Sequence, residues 1–157
     1  MYIGIGKRSK WDDESNPPAE NAAATSLDDT IGYKLVTRKF AARPYEDGDD
    51  SSMVVTISSD DNYTLLADND PTIWTAPATF LYCEVNITIE ETNIISFRES
   101  GLFAGLTTTN TPGDFVLPSQ VNSTGSMLSI ANFPAVNITP TSSATIGFIY
   151  SFKPVVI

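Results

Sequence analysis

The chain contains no histidine among its 157 residues. That removes Ser-His-Asp and Cys-His catalysis, together with the usual imidazole-based zinc ligand sets. The single cysteine, Cys83, excludes an internal disulfide. It falls on the apolar side of an alternating stretch, so a small buried hydrophobe is expected rather than a reactive thiol. No window approaches the ~20 apolar residues of a membrane-spanning helix. Met1-Tyr-Ile-Gly-Ile-Gly-Lys places its charge after a very short apolar run, the wrong order for a secretory signal. There is no phosphate-binding loop, and Gly4-Ile5-Gly6 lacks the third glycine and the following helix of a dinucleotide fingerprint. The acid-rich stretches Glu46–Asp50, Asp60–Asn62 and Asp68–Asp70 have neither the spacing nor the terminal glutamate of an EF-hand, so they read as solvated turns. No acid is set apart by its neighbours as a glycosidase acid would be. Catalytic residues, cofactors and bound metals are therefore not expected.

Positive charge is also scarce. The net charge is −10, unevenly distributed. Residues 1–43 carry seven of the nine basic residues against six acids; residues 44–157 carry only Arg98 and Lys153 against thirteen. A phosphate backbone would be repelled by that larger part, which disfavours a nucleic-acid partner. The weakly basic N-terminal third is suited instead to meeting acidic surface on a neighbouring subunit.

What the chain does have is β-pattern. From Leu81 to Ile89 the odd positions are Leu81, Cys83, Val85, Ile87 and Ile89, and the even ones Tyr82, Glu84, Asn86 and Thr88. Successive strand side chains face opposite ways, so one face is apolar and the other wet. Glu90-Glu91-Thr92-Asn93 interrupts the pattern, and apolar residues resume at Ile94, Ile95 and Phe97, predicting an antiparallel hairpin. Ile31–Phe40, Met53–Ile57, Tyr63–Ala67, Met127–Ile130 and Thr145–Phe152 also read as strands, the last with Ile146, Phe148, Tyr150 and Phe152 on one side. Ala19–Asp29 is the one stretch with helical composition, and it is too short and polar to stand alone. Thr107–Ser126 is rich in Thr, Ser, Asn, Pro and Gly, predicting a surface loop tied down only at Phe115–Leu117. The pattern predicts an all-β protein, an antiparallel β-sandwich or jelly-roll-like domain over residues 31–157. Residues 1–30 are expected to be an extended N-terminal arm and linker.

Within that arm, Tyr2-Ile3-Gly4-Ile5-Gly6 is short, apolar and glycine-spaced, suited to close packing on another backbone. Trp11 then stands alone among charges, and Pro17-Pro18 forces an extended chain. Tyr2, Ile3, Ile5, Trp11, Pro17 and Pro18 are the candidate partner-binding residues, with Trp11 inserting into a pocket on this domain or on a partner.

Two segments carry a family resemblance. Residues 2–18, from Tyr2-Ile-Gly-Ile-Gly through Trp11 and its acids to Pro17-Pro18, resemble the opening of baseplate wedge proteins of contractile-tailed bacteriophages. Phe97-Arg-Glu-Ser-Gly-Leu-Phe103 resembles an aromatic-Arg-Glu-x-Gly-Leu-aromatic strand of phage tail, baseplate and fibre proteins, and more loosely Phe133–Phe152 is similar to the last strands of such modules. The resemblance implies a virion protein made in the host cytoplasm. Such a protein would be present in several copies or as a homo-oligomer and assemble with other virion structural proteins. Members of that family are usually longer, which leaves open a wedge component, a fibre adaptor or a capsid or neck decoration protein. A receptor- or glycan-binding module is the alternative, with Trp74 beside Asp68-Asn69-Asp70 as its best candidate site.

Overall fold

The computed structural model describes residues 1–57, 60–71, 80–92, 96–109 and 114–151, with the side chains of 91 and 92 excepted. The strands are β1 (Tyr2–Gly6), β2 (Gly32–Leu35), β3 (Arg38–Pro44), β4 (Val54–Thr56), β5 (Asn62–Leu66) and β6 (Phe80–Ile87). After a single helical turn, α1 (Ile89–Thr92), come β7 (Ser96–Ala104), β8 (Thr107–Thr108), β9 (Phe115–Val116), β10 (Val121–Ser123), β11 (Ser126–Asn137) and β12 (Ala144–Ser151). The expected class holds: the chain is all-β, and its described residues form two five-stranded antiparallel sheets and a two-stranded one. The chain divides into two compact units, one of residues 1–36 and 85–146, the other of residues 37–84 and 147–157. Of the three divisions, one falls between β2 and β3 and the others inside β6 and β12.

In the first unit the sheet runs β11-β7-β1-β2-β9, with antiparallel registers. The chain therefore begins with the central strand of this sheet. Residues 1–30, expected as an arm ahead of the domain, are not separate from it: β1 is hydrogen-bonded on both sides, to β7 and β2. On one face of β1, Ile3 and Ile5 are fully buried. On the other, Gly4 stands opposite Gly101 of β7, and Gly6 opposite Glu99. The missing side chains leave a trough that Leu27 fills. A Cβ on Gly4 would lie 3.0 Å from Leu27 Cδ1, and one on Gly101 3.1 Å from Leu27 Cδ2. Leu27, Tyr33, Phe103 and Val116 form the buried cluster on this face, with Tyr33 and Phe103 edge to face at 5.1 Å.

The predicted hairpin between Leu81–Ile89 and Ile94–Phe103 is not formed. β6 pairs with β3, whereas β7 pairs with β1 and β11. The expected turn is instead α1, and β7 finds partners whose glycine and aromatic positions match its own. Burial on β6 follows the expected alternation, with Cys83, Val85 and Ile87 at 0–1% exposure. Tyr82, read as wet, is buried too. Thr107–Ser126 is less of a loop than expected: β9 forms the sheet edge beside β2, and β10 pairs with β8. Leu117 is 46% exposed, so of Phe115–Leu117 only Phe115–Val116 is held in the sheet. Met127–Ile130, expected as a short strand, is the first part of a longer one, β11, that runs to Asn137. Within Ala19–Asp29 no helix forms. Ile94, Ile95, Trp74 and Phe152 lie outside the described residues.

In the second unit the sheet order is β12-β6-β3-β5-β4. Ala42, Leu65 and Tyr82 form its buried cluster, flanked by Phe40, Tyr63, Phe80 and Ile149. The Tyr82 hydroxyl donates to Glu84, which pairs with Arg38. The acidic stretch Glu46–Asp50 is tied to β3 and β5 through Asp49. Asp49 accepts from the Arg43 guanidinium at 2.5 Å, the Thr64 hydroxyl at 2.5 Å and the Glu46 N–H at 3.0 Å.

Two outcomes are predicted from this packing. A Cβ on Gly6 would lie 2.6 Å from the Asp28 carbonyl oxygen, a backbone atom that cannot swing aside. Gly6→Ala should therefore cost about 1–3 kcal/mol, lowering the melting temperature by several degrees; melting at the parental temperature would contradict it. The Arg43 guanidinium, the Thr64 hydroxyl and the Glu46 N–H hold the Asp49 carboxyl down from 3.8 to about 2. Its native pKa lies below the unfolded one, so its contribution is full above the unfolded value and is lost as pH falls through the native value. Between about pH 5 and 2, the melting temperature should fall more steeply for the parent than for Asp49→Asn. Parallel profiles would contradict the assignment.

Candidate assembly surface

β1 ends at Gly6, and the chain turns outward at Lys7, whose φ is +61°; it returns through Asp29, at +46°. Outgoing and returning ends are stitched side by side. Lys7 N–H donates to Asp28 O at 2.7 Å, and Ile31 N–H to Ile5 O at 2.8 Å. The Lys7 ammonium pairs with Asp28 at 2.7 Å, and Arg8 pairs with Asp29. Residues 7–30 thus form a closed loop, not an open arm, and Leu27 is its apolar foot in the glycine trough.

The loop is fixed to two strands. On β7, Arg98 is 5% exposed, and its Nε donates to Glu14 at 2.6 Å and its Nη1 to Arg8 O at 2.7 Å. Burial pushes the Glu14 carboxyl up, but the hydrogen bond and charge of Arg98, helped by the Trp11 N–H, leave it below its ordinary value. Glu99, next along β7 and so on the opposite face, is 6% exposed and accepts from Asp28 N–H at 2.6 Å. Burial pushes its carboxyl up, against that hydrogen bond.

On β11, the Trp11 indole N–H donates to Phe133 O at 3.0 Å, and Asn132 Nδ2 to Pro18 O at 3.0 Å. Asn132 N–H reaches Glu20 at 3.4 Å. β11 is an edge strand, and these bonds cap backbone groups that would otherwise be open to another chain. Pro134, exposed, sits where the β11 register shifts between Asn132 and Val136. A residue without an N–H is tolerated there. The Lys7 ammonium lies 5.0 Å from the Trp11 ring centre.

The predicted partner-binding residues divide accordingly. Ile3 and Ile5 are completely buried under this chain's own sheet, so as anchors for a neighbour they are corrected to core residues. Tyr2 is half-buried against the Leu27 cluster. Trp11 is half-buried and committed to β11. Pro17 is half-buried and Pro18 exposed, beside exposed Asp12, Asp13, Ser15 and Asn16. Sequence reasoning missed Glu14, Leu27 and Asn132, which hold the loop in place. Its one available signal was Phe97-Arg98-Glu99, two charges inside an apolar strand, since charges there are buried only with partners. Among the described residues no group of three or more His, Cys, Asp or Glu is placed to hold a metal.

The family model for the "Baseplate wedge 3 tail fiber network component" matches residues 1–152. The match takes in the loop and both sheets. The chain is also similar to "Virion protein 3" of Enterococcus phage phiEF24C, 33% identical over 126 residues that cover 80% of this chain and 68% of that one. The resemblance read from residues 2–18 and 97–103 is borne out. The chain belongs to the baseplate wedge tail fibre network family of bacteriophage structural proteins.

Proposed function

We propose that this protein is a non-enzymatic connector of the phage baseplate, joined to neighbouring virion proteins by the outer face of the 7–30 loop. It is made in the host cytoplasm and incorporated in several copies, without nucleic-acid or membrane contacts of its own. The family description supports the baseplate over a capsid or neck position. The observation that carries the reading is the loop's construction. Its inner side is bonded to β7 and β11, while Asp12–Pro18 has no regular secondary structure and turns exposed residues outward. A loop already fixed in shape loses little entropy when a partner covers it, which favours docking over a free arm. The lack of histidine and the structural character of the family support the absence of catalysis. Among the described residues no helix is long and apolar enough to cross a membrane. The net charge of −10 opposes nucleic acid.

The test is the double variant Asn16→Arg/Pro18→Arg, which adds bulk and charge to exposed side chains and keeps the Pro18 main-chain carbonyl that accepts from Asn132. Surface changes of this kind cost about 0.5 kcal/mol or less, so melting should stay within a few degrees of the parent. Incorporation into particles should fall at least tenfold, about 1.4 kcal/mol in affinity. Parental incorporation would overturn the proposed docking face.

A further inference from the structure

Between the returning part of the loop and β11 the first unit holds an open cavity of about 420 Å³. Trp11, Leu27 and Ile130 supply apolar wall, and Asp28, Glu99 and Asn132 supply polar wall. The polar groups are unusual in kind. Glu99 is a carboxyl buried to 6% exposure whose bonded partner is a backbone N–H. Asn132 Oδ1 is buried with no hydrogen-bond partner among the described residues, although its Nδ2 is bonded to Pro18 O. Of the donors nearest them, the Trp11 indole N–H is taken by Phe133 O and the Lys7 ammonium pairs with Asp28, while Asn21 and Ser26, which also line the cavity, are exposed. The buried polar atoms of the wall, the Glu99 carboxyl and Asn132 Oδ1, are thus acceptors, next to an aromatic ring and aliphatic surface.

A ligand that satisfies these two acceptors needs an apolar stem and a donor head, and a cationic head suits the carboxyl. We infer that the cavity receives a basic side chain, arginine or lysine, presented by a neighbouring virion protein. The stem lies along Leu27 and Ile130, and the head reaches Glu99 and Asn132. A guanidinium can also stack on the free part of the Trp11 ring. The chain's charge of −10 draws basic partners to it. This assignment rests on the assembly reading above and adds the chemistry of the partner.

The test uses the full isotope-labelled chain and follows the Trp11 indole and the Asn132 and Ile130 amide signals by NMR. The probes are N-acetyl-arginine amide, N-acetyl-norleucine amide and glucose. Arginine amide is expected to shift these signals saturably, at least tenfold more tightly than norleucine amide, with no saturable shift from glucose. Glu99→Gln should weaken arginine at least fivefold. Because that residue also helps to hold the loop, Ala24→Arg is the second variant. Ala24 lines the same cavity, and an arginine there places this chain's own guanidinium in it. Ala24→Arg should abolish the probe shifts and reduce incorporation into particles. Absence of arginine-selective shifts overturns the site, even if the Asn16→Arg/Pro18→Arg variant fails to assemble. Probe binding with parental incorporation of Ala24→Arg overturns the virion neighbour as occupant and leaves the outer-face reading standing.

Discussion

The first unit depends on one contact, Leu27 seated over Gly4, Gly6 and Gly101. A sheet normally keeps a neighbouring segment a side chain's length away. Here the central strand and its partner drop their side chains at facing positions, and the returning loop comes close enough for Asp28 to bond both strands. Its carbonyl accepts from Lys7 N–H, following β1, and its N–H donates to Glu99 on β7. Burying one leucine contributes about 2 kcal/mol, and ordering a loop of this length costs far more. The contact therefore works by position: it fixes where the loop lands, and the bonds from Arg98, Trp11 and Asn132 supply the remainder.

The charges of β7 follow from the same geometry. Arg98 and Glu99 are adjacent, face opposite ways, and are both buried because the loop passes over them. Such buried ions are weak sources of net stability, yet leaving one unpaired is expensive. They act against misplacement of the loop, since any other path strands a charge. The edge of β11 is treated similarly: Trp11, Pro18 and Glu20 take up its polar groups at Asn132 and Phe133, which blunts open-edge pairing with other chains.

The legible parts of the sequence were local. Alternation gave the buried set Cys83, Val85 and Ile87, because burial of a strand face needs only its own residues. The glycine spacing of Tyr2–Gly6 announced close backbone approach, and the structure shows what approaches. Pairing was not legible: nothing within 81–103 reveals that β7 joins a strand almost a hundred residues earlier. The hairpin reading failed for that reason, and so did the arm reading, since the partners of β1 lie in β2 and β7. Trp11 looked orphaned among acids because its acceptor is a carbonyl at Phe133, 122 residues away. The family resemblance rested on residues 2–18 and 97–103, pieces that the fold brings together.

The central claim is that residues 7–30 are an integral, closed part of this unit rather than a mobile arm. Amide hydrogen exchange on the isolated protein tests it most directly. The Lys7, Asp28 and Ile31 N–H groups are bonded to Asp28 O, Glu99 and Ile5 O. They are predicted to exchange as slowly as the amides of β1, since opening them requires lifting Leu27 from its trough. Exchange of Lys7 and Asp28 at unprotected rates, with β1 still slow, would contradict it.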